Sequence, residues 1–201
     1  MRAMLQSRRH ELGLTAFTAP PGRCIVCSAA KPTSGADFPQ FRWVIRMADG
    51  SGKRARVMAV ASVGGHWEQM MQLRDTLEPH GVRFVTTEPD LLEKARIADG
   101  SILPDCNLDQ FWRSFKCMIR AFTLVWRTRP AVIVSTGAAP GFFCLLAGRT
   151  IGARTIWIDS VANVERLSKS GAMAKWIAHD WLTQWEHLAR PEGPRYAGSV
   201  L

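Results

Sequence analysis

The sequence predicts an α/β domain, doubly wound and Rossmann-like, built on a parallel sheet. From Arg56 onward, apolar runs of strand length alternate with stretches of helical period. Helices interposed between strands supply the crossovers that parallel pairing needs and cover both faces of the sheet. Two glycine turns, Ser62-Val-Gly-Gly-His66 and Ser135-Thr-Gly-Ala-Ala139, each follow a strand directly. Both therefore fall at the carboxyl ends of strands, where ligands bind in sheets of this kind.

Val57 to Ala61 is an unbroken apolar run and reads as a buried strand. The spacing of Met70, Leu73 and Leu77 predicts a helix over Trp67 to Leu77 with one apolar face, and Gly81 ends it. Val82 to Thr86 forms a second strand and closes one βαβ unit. Asp90 is placed to cap a short helix through Ala98, and Asp109 a longer one through Thr128. Arg129-Pro130 stops the latter, because the residue before a proline is disfavoured in helical backbone. Ala131 to Ser135 is a third strand, Thr136 to Pro140 a turn, Gly141 to Thr150 a helix and Thr155 to Asp159 a fourth strand. Residues 1–50, punctuated by Pro20-Pro21-Gly22, Lys31-Pro-Thr-Ser-Gly35 and Pro39, hold no sustained period and read as a poorly ordered extension. The domain is then 51–201. Met47, one strand length and a short basic lead before the first strand, marks a natural start of translation.

Composition narrows the function classes. No run of eighteen or more uncharged apolar residues is present and no secretory apolar core opens the chain, which predicts an intracellular protein. Five scattered cysteines (Cys24, Cys27, Cys106, Cys117, Cys144) argue for a reducing compartment. Cys24 and Cys27 form a single CxxC without a second ligand pair, so no metal site is expected. The net charge of +9 suits nucleic acid, anionic lipid or a phosphorylated substrate without choosing among them. Seven basic and three acidic residues precede Ser51, leaving the body mildly basic.

In the predicted helix over Asp109 to Thr128, Arg113, Lys116, Arg120 and Arg127 share one face, while Trp112, Phe115, Ile119, Phe122, Trp126 and other apolar residues cover the remainder. A basic stripe flanked by tryptophan and phenylalanine is the pattern of an interfacial membrane helix. The same residues also serve a core helix with one solvated edge. The first glycine turn carries a similar pair of readings. Its glycines permit positive φ or close approach of a ligand, the helix behind it offers N–H groups to an anion, and His66 is a possible proton acceptor. Alternatively it is a tight βα turn with a solvated histidine.

Asp159-Ser-Val-Ala-Asn-Val-Glu-Arg-Leu-Ser-Lys-Ser-Gly171, Asp180-Trp-Leu-Thr-Gln-Trp-Glu-His-Leu188 and Tyr196-Ala-Gly-Ser-Val200 resemble the membrane-recruiting subunit of the UDP-N-acetylglucosamine transferase of N-glycan synthesis and, more nearly, its bacterial counterparts in exopolysaccharide synthesis. The resemblance takes in Ser62-Val-Gly-Gly-His66 and Arg129-Pro130 through Ser135-Thr136-Gly137, so it runs from about Arg56 to Leu201 in order. Ala61 departs from it where glycine is usual, and Glu186 where proline is common.

The resemblance implies half of an enzyme: the N-terminal, acceptor-side domain of a GT-B glycosyltransferase, whose donor-binding half is a separate small subunit. A UDP-sugar would bind mainly on that partner, and this chain would need no cofactor of its own. The expected acceptor is a lipid-linked, polyprenyl-pyrophosphate saccharide, and the expected location is the cytoplasm, peripherally on the inner face of an anionic membrane. By the same resemblance Ser62, Gly64, Gly65, Thr136 and Gly137 border the acceptor side of the cleft. His66 either deprotonates the attacking hydroxyl or only hydrogen-bonds it. Glu68 reads as a favourable charge near a helix start. Asp159, Asn163 and Glu165 are candidate contacts to the partner or the acceptor, or else solvated loop polarity; Trp181, Trp185 and Tyr196 are candidate partner-interface anchors or local core packing, and Gln184 is a further partner-interface candidate. Trp112, Arg113, Lys116, Arg120 and Trp126 are the membrane candidates.

Three other functions compete. A dinucleotide-dependent oxidoreductase needs GxGxxG spacing and an acidic residue about twenty positions on, and Ser62-Val-Gly-Gly-His66 lacks that spacing. A nucleic-acid-binding module would cluster its charge on an exposed face without a cleft. A pure membrane adaptor shares every feature except a role for the glycine turn.

Overall fold

A computed structural model of the chain describes residues 57–106 and 110–200. The extension expected over residues 1–50, with Cys24, Cys27 and Met47, lies outside the described residues, as does Asp109.

Seven parallel strands form one sheet in the order β3-β2-β1-β4-β5-β6-β7. They are β1 (Val57–Val60), β2 (Val82–Thr86), β3 (Gly100–Ile102), β4 (Val132–Ser135), β5 (Arg154–Ile158), β6 (Asp180–Thr183) and β7 (Arg195–Tyr196). Helices α1 (Gly65–Gln72), α2 (Arg74–Leu77), α3 (Pro89–Lys94), α4 (Phe111–Thr128), α5 (Ala138–Thr150) and α6 (Lys169–Ala174) fill the connections. Side chains alternate across each strand, so the sheet feeds two cores. Val57 and Ala59 of β1 pack with Trp67, Met70, Leu73 and Leu77, whereas Met58 and Val60 pack with Cys117, Ala121 and Val125 of α4 and Phe143 of α5. This is the doubly wound, Rossmann-like fold that the alternation predicts.

The chain winds outward from β1 to β2 and β3, then returns through α4 to place β4 against the other side of β1. The winding therefore reverses between β1 and β4. A crevice at the carboxyl ends of the strands on either side of such a reversal is the usual ligand site.

Several elements differ from expectation. β3, β6 and β7 are short, and their residues show no period that distinguishes strand from loop; β6 opens on Asp180, a charge unlikely in a strand until its partners are known. Arg154 Nε donates to Asp180 Oδ2 at 2.9 Å and Arg195 pairs with Oδ1, so two guanidinium groups neutralise the buried carboxylate and tie β7 to the sheet. The helix expected over Trp67 to Leu77 breaks into α1 and α2 at Leu73, yet Met70, Leu73 and Leu77 are all fully buried, as their spacing requires.

Asp90 does not cap. Glu88 holds the extended N-cap position of α3, Pro89 follows at the first helical position, and Asp90 is exposed at the second. That helix ends early because Arg96 turns left-handed at φ 53, with Arg96 N–H bonded to Glu93 O and Ile97 N–H to Leu92 O. Gln110 is the N-cap of α4. α5 starts three residues before Gly141, because Pro140 falls in the first turn, where a missing N–H breaks no helical bond.

Gly141 carries α5 across the sheet: a Cβ there would overlap the Ser135 hydroxyl and lie 2.9 Å from Ser135 Cβ. Gly141→Ala should therefore destabilise the fold by about 1–3 kcal/mol, the usual cost of overpacking, despite alanine's better helix propensity. Urea unfolding reads this directly; a neutral or stabilising substitution would contradict the close approach.

Candidate functional site

The turn after β1 is built for its backbone. Ala61 N–H extends the ladder to Val85 O at 2.9 Å, and Ser62 is buried behind it. Gly64 then takes φ 79 at the N-cap of α1, where its carbonyl accepts from Trp67 N–H and Glu68 N–H. A Cβ on Gly64 would meet nothing within 4 Å, so the dihedral rather than crowding demands glycine there. Gly64 and Gly65 are exposed, and the N–H groups of Gly65 and His66 have no partner among the described residues.

The turn after β4 is clamped to the first. His66 Nδ1 lies 2.9 Å from Thr136 O, and the Thr136 hydroxyl donates to His66 O at 2.7 Å. A carbonyl only accepts, so Nδ1 carries a proton, and Nε2 has no partner among the described residues. Thr136 and Gly137 are buried, while His66 is half-buried. The imidazole rests on Gly137: a Cβ there would lie 2.6 Å from Nδ1 and overlap Cε1. Ser135 Oγ accepts from Gly137 N–H at 3.2 Å, and Ala138 next to it holds a left-handed φ of 64. That left-handed backbone costs a non-glycine residue about 1–2 kcal/mol, and the surrounding bonds sustain it.

Behind the turns lies a buried amide network. Gln69 Nε2 donates to Gly65 O and Ser160 Oγ, both at 3.0 Å, and Gln69 Oε1 accepts from Val161 N–H at 3.2 Å and Gln184 Nε2 at 2.6 Å. All four capacities of the amide are used. Gln184 also donates to Asp159 O and accepts from Val200 N–H, which joins α1, the loop after β5, the end of β6 and the tail. The buried Asp159 carboxylate accepts from Ser168 N–H, Ser168 Oγ, Asn163 Nδ2 and Trp157 Nε1, and so shapes residues 160–168.

The structure places Ser62, Gly64, Gly65 and His66 after β1 and Thr136 and Gly137 after β4, at the carboxyl ends of adjacent strands, and it is His66 that meets Thr136 and Gly137 across the two turns. The expected partner contacts separate. Glu165 and Tyr196 are exposed, Asn163 is half-buried against Asp159, and Trp185 is half-buried with its indole N–H on Val161 O at 2.8 Å. Gln184 is a correction: it is 3% exposed, and both ends of its amide are bound within the chain. Gln69 and Ser160 were not singled out from sequence. The available signal was a glutamine beside the Met70, Leu73 and Leu77 face. The thiols of Cys106, Cys117 and Cys144 belong to the core under α4, and burial pushes Cys144 up to about 12, which disarms it as a nucleophile.

On α4 only the small side chains Cys117, Ala121 and Val125 are buried. Phe111 (71% exposed), Trp112 (78%), Phe115, Ile119 and Trp126 form an outward apolar stripe. Exposed Arg113, Lys116, Arg120 and Arg127 run alongside it, and the helix holds no acidic residue. Those four aromatics therefore face away from the core, whereas Phe122 packs against it. Among the described residues no helix is long and apolar enough to cross a membrane.

No family model matches the chain. It is similar to the UDP-N-acetylglucosamine transferase subunit ALG14 of Yarrowia lipolytica, 26% identical over 162 residues that cover 67% of this chain and 75% of the relative. That similarity accords with the resemblance drawn from the motifs. The fold is also that of MurG from Acinetobacter baumannii, at a TM-score of 0.53 and 15% identity. The match covers 73% of this chain but 45% of MurG, so the chain spans less than half the length of that GT-B-type structure.

Because Nδ1 donates to a carbonyl, the neutral His66 ring should be the Nδ1–H tautomer, the minor form of free histidine. Long-range ¹H–¹⁵N correlation spectra identify it, and an Nε2–H ring would contradict the clamp. Gly137→Ala should lose that signature and destabilise the fold by about 1–3 kcal/mol.

Proposed function

We propose that this chain is the acceptor-side subunit of a two-component glycosyltransferase, moving a sugar from a UDP-sugar to a lipid-linked saccharide in exopolysaccharide or glycan synthesis. The observation that carries the proposal is the half-buried His66 at the carboxyl ends of β1 and β4, its Nδ1 held on Thr136 O, its Nε2 without a partner among the described residues, and the positive-φ glycines Gly64 and Gly137 in the two turns beside it. The similarity to a protein named as a transferase subunit, and a single GT-B-type domain over the described residues, support a partner that supplies the donor half.

In the proposed reaction the acceptor hydroxyl attacks the anomeric carbon of the sugar. His66 Nε2 takes the hydroxyl proton, the bond between the anomeric carbon and the phosphate oxygen breaks, and UDP leaves on the partner's side. Gly65 and His66 N–H groups at the start of α1 face a region suited to the acceptor's pyrophosphate. The exposed stripe of α4 docks the subunit on the inner face of an anionic membrane, where a lipid-linked acceptor resides. The second reading, a pure membrane adaptor, draws on α4 alone and gives the His66 clamp no chemical role.

The isolated chain should transfer no sugar from any UDP-sugar, and activity should appear on co-expression with the donor-binding subunit; robust transfer by the chain alone sinks the half-enzyme reading. In the complex, His66→Ala should lower turnover by roughly a hundredfold to ten-thousandfold, with His66→Asn equally poor. Wild-type rates in both variants would favour the adaptor. For the membrane, each large apolar side chain contributes about 1.5–3 kcal/mol when buried. Trp112→Ser with Ile119→Ser should therefore lower vesicle partitioning about a hundredfold or more, and unchanged co-sedimentation would refute the docking face.

A further inference from the structure

Between α4 and the edge strand β3 runs a groove of about 460 Å³. Arg120 and Arg127 line it from α4, Arg83 from β2 and Ser101 from β3, and Leu103 and Leu124 supply apolar lining. Arg83 is the second residue of β2 and Arg127 sits in the last turn of α4. The groove therefore reaches toward the amino ends of the strands, away from the glycine turns.

Its charge is poorly balanced within the chain. Arg83 Nη2 pairs with Asp99 at 2.6 Å and its Nη1 donates to Ser101 Oγ at 3.3 Å, which leaves the Ser101 proton available to another acceptor. Arg120 and Arg127 have no partner among the described residues. The guanidinium groups of Arg120 and Arg127 match the paired oxygens of a phosphate, which a free fork binds bidentately, and Arg83 orients the Ser101 hydroxyl beside them. The neighbouring side chains distinguish a lipid from a soluble anion. Ile119 and Trp126, 49% and 54% exposed, each precede a groove arginine by one residue, so an apolar group stands beside a cation at two levels along the helix. A soluble phosphate has no use for the apolar members, whereas a phospholipid engages both.

We propose that this groove binds the phosphodiester headgroup of an anionic phospholipid, its acyl chains lying along the apolar stripe of α4. The proposal builds on the membrane-docking reading but assigns a discrete site, which includes Arg83 from outside the helix. The test titrates the full chain with dihexanoyl phosphatidylglycerol below its micelle concentration, alongside co-sedimentation with phosphatidylglycerol vesicles.

Saturable binding is expected, weakened about tenfold or more in Arg83→Gln and in Arg127→Gln, as for loss of a hydrogen bond to a charged group. It should be unchanged in Arg166→Gln, which removes the same charge at an exposed position after β5, outside the groove. Absence of saturable binding, equal losses in all three variants, or displacement of the lipid by inorganic phosphate at matched concentration would overturn the site. Failure to sediment with vesicles while soluble lipid still binds would reject the docking reading and keep the groove. Sedimentation without saturable soluble binding would reject the groove alone.

Discussion

Two hydrogen bonds between His66 and Thr136 set the geometry on which the candidate site depends. They run in opposite senses, imidazole to carbonyl and hydroxyl to carbonyl, and join turns that leave adjacent strands seventy residues apart in the chain. Each turn alone is a short glycine-bearing segment with several accessible backbone conformations. Clamped together, they fix the separation of the two lips of the crevice and hold the imidazole in one orientation. The bare Gly137 surface makes this possible, since any side chain there would occupy the ring's place.

The clamp needs a rigid base, and the Gln69 network provides it. A primary amide that donates twice and accepts twice inside the protein is fully satisfied, and removing it would leave Val161 N–H and one N–H of Gln184 without a partner. Asp159 plays the corresponding part for residues 160–168, where four donors converge on one carboxylate. These polar groups hold the turn after β1 and the loop after β5 from behind. The α4 face is separate in space and chemistry: small side chains seat the helix on α5 and the sheet, so Phe111, Trp112, Phe115, Trp126 and the cations are left outside. Docking and chemistry can accordingly be tested apart.

Much of this was legible in the sequence, for definite reasons. β1 and β4 are buried throughout, β2 and β5 over their last three and four residues, and apolar residues of strand length announce them. The glycine turns could be placed at strand ends because the strands themselves were visible. β3, β6 and β7 could not be read, since strands of two to four residues without a continuous apolar run carry no period, and Asp180 becomes tolerable only once Arg154 and Arg195 fold against it. Gln184 read as a partner contact because the groups that bind it, Gln69, Asp159 and Val200, are remote in sequence. The clamp was invisible for the same reason: His66 and Thr136 were both noted, but only the β1–β4 pairing makes them neighbours. On α4 the composition was plain and the orientation was not. Periodicity marked a basic stripe, yet which apolar residues would be buried turned on how closely Cys117, Ala121 and Val125 pack.

The central claim is that Nε2 of His66, left free by the Thr136 clamp, faces the acceptor. The most direct measurement follows the ¹⁵N resonances of the His66 ring in the assembled two-subunit complex as a soluble, short-chain lipid-linked acceptor analogue is added. A large shift of Nε2 to the value of a hydrogen-bonded nitrogen, with Nδ1 still protonated, is the predicted result. An Nε2 resonance that stays put at saturating acceptor would contradict the account.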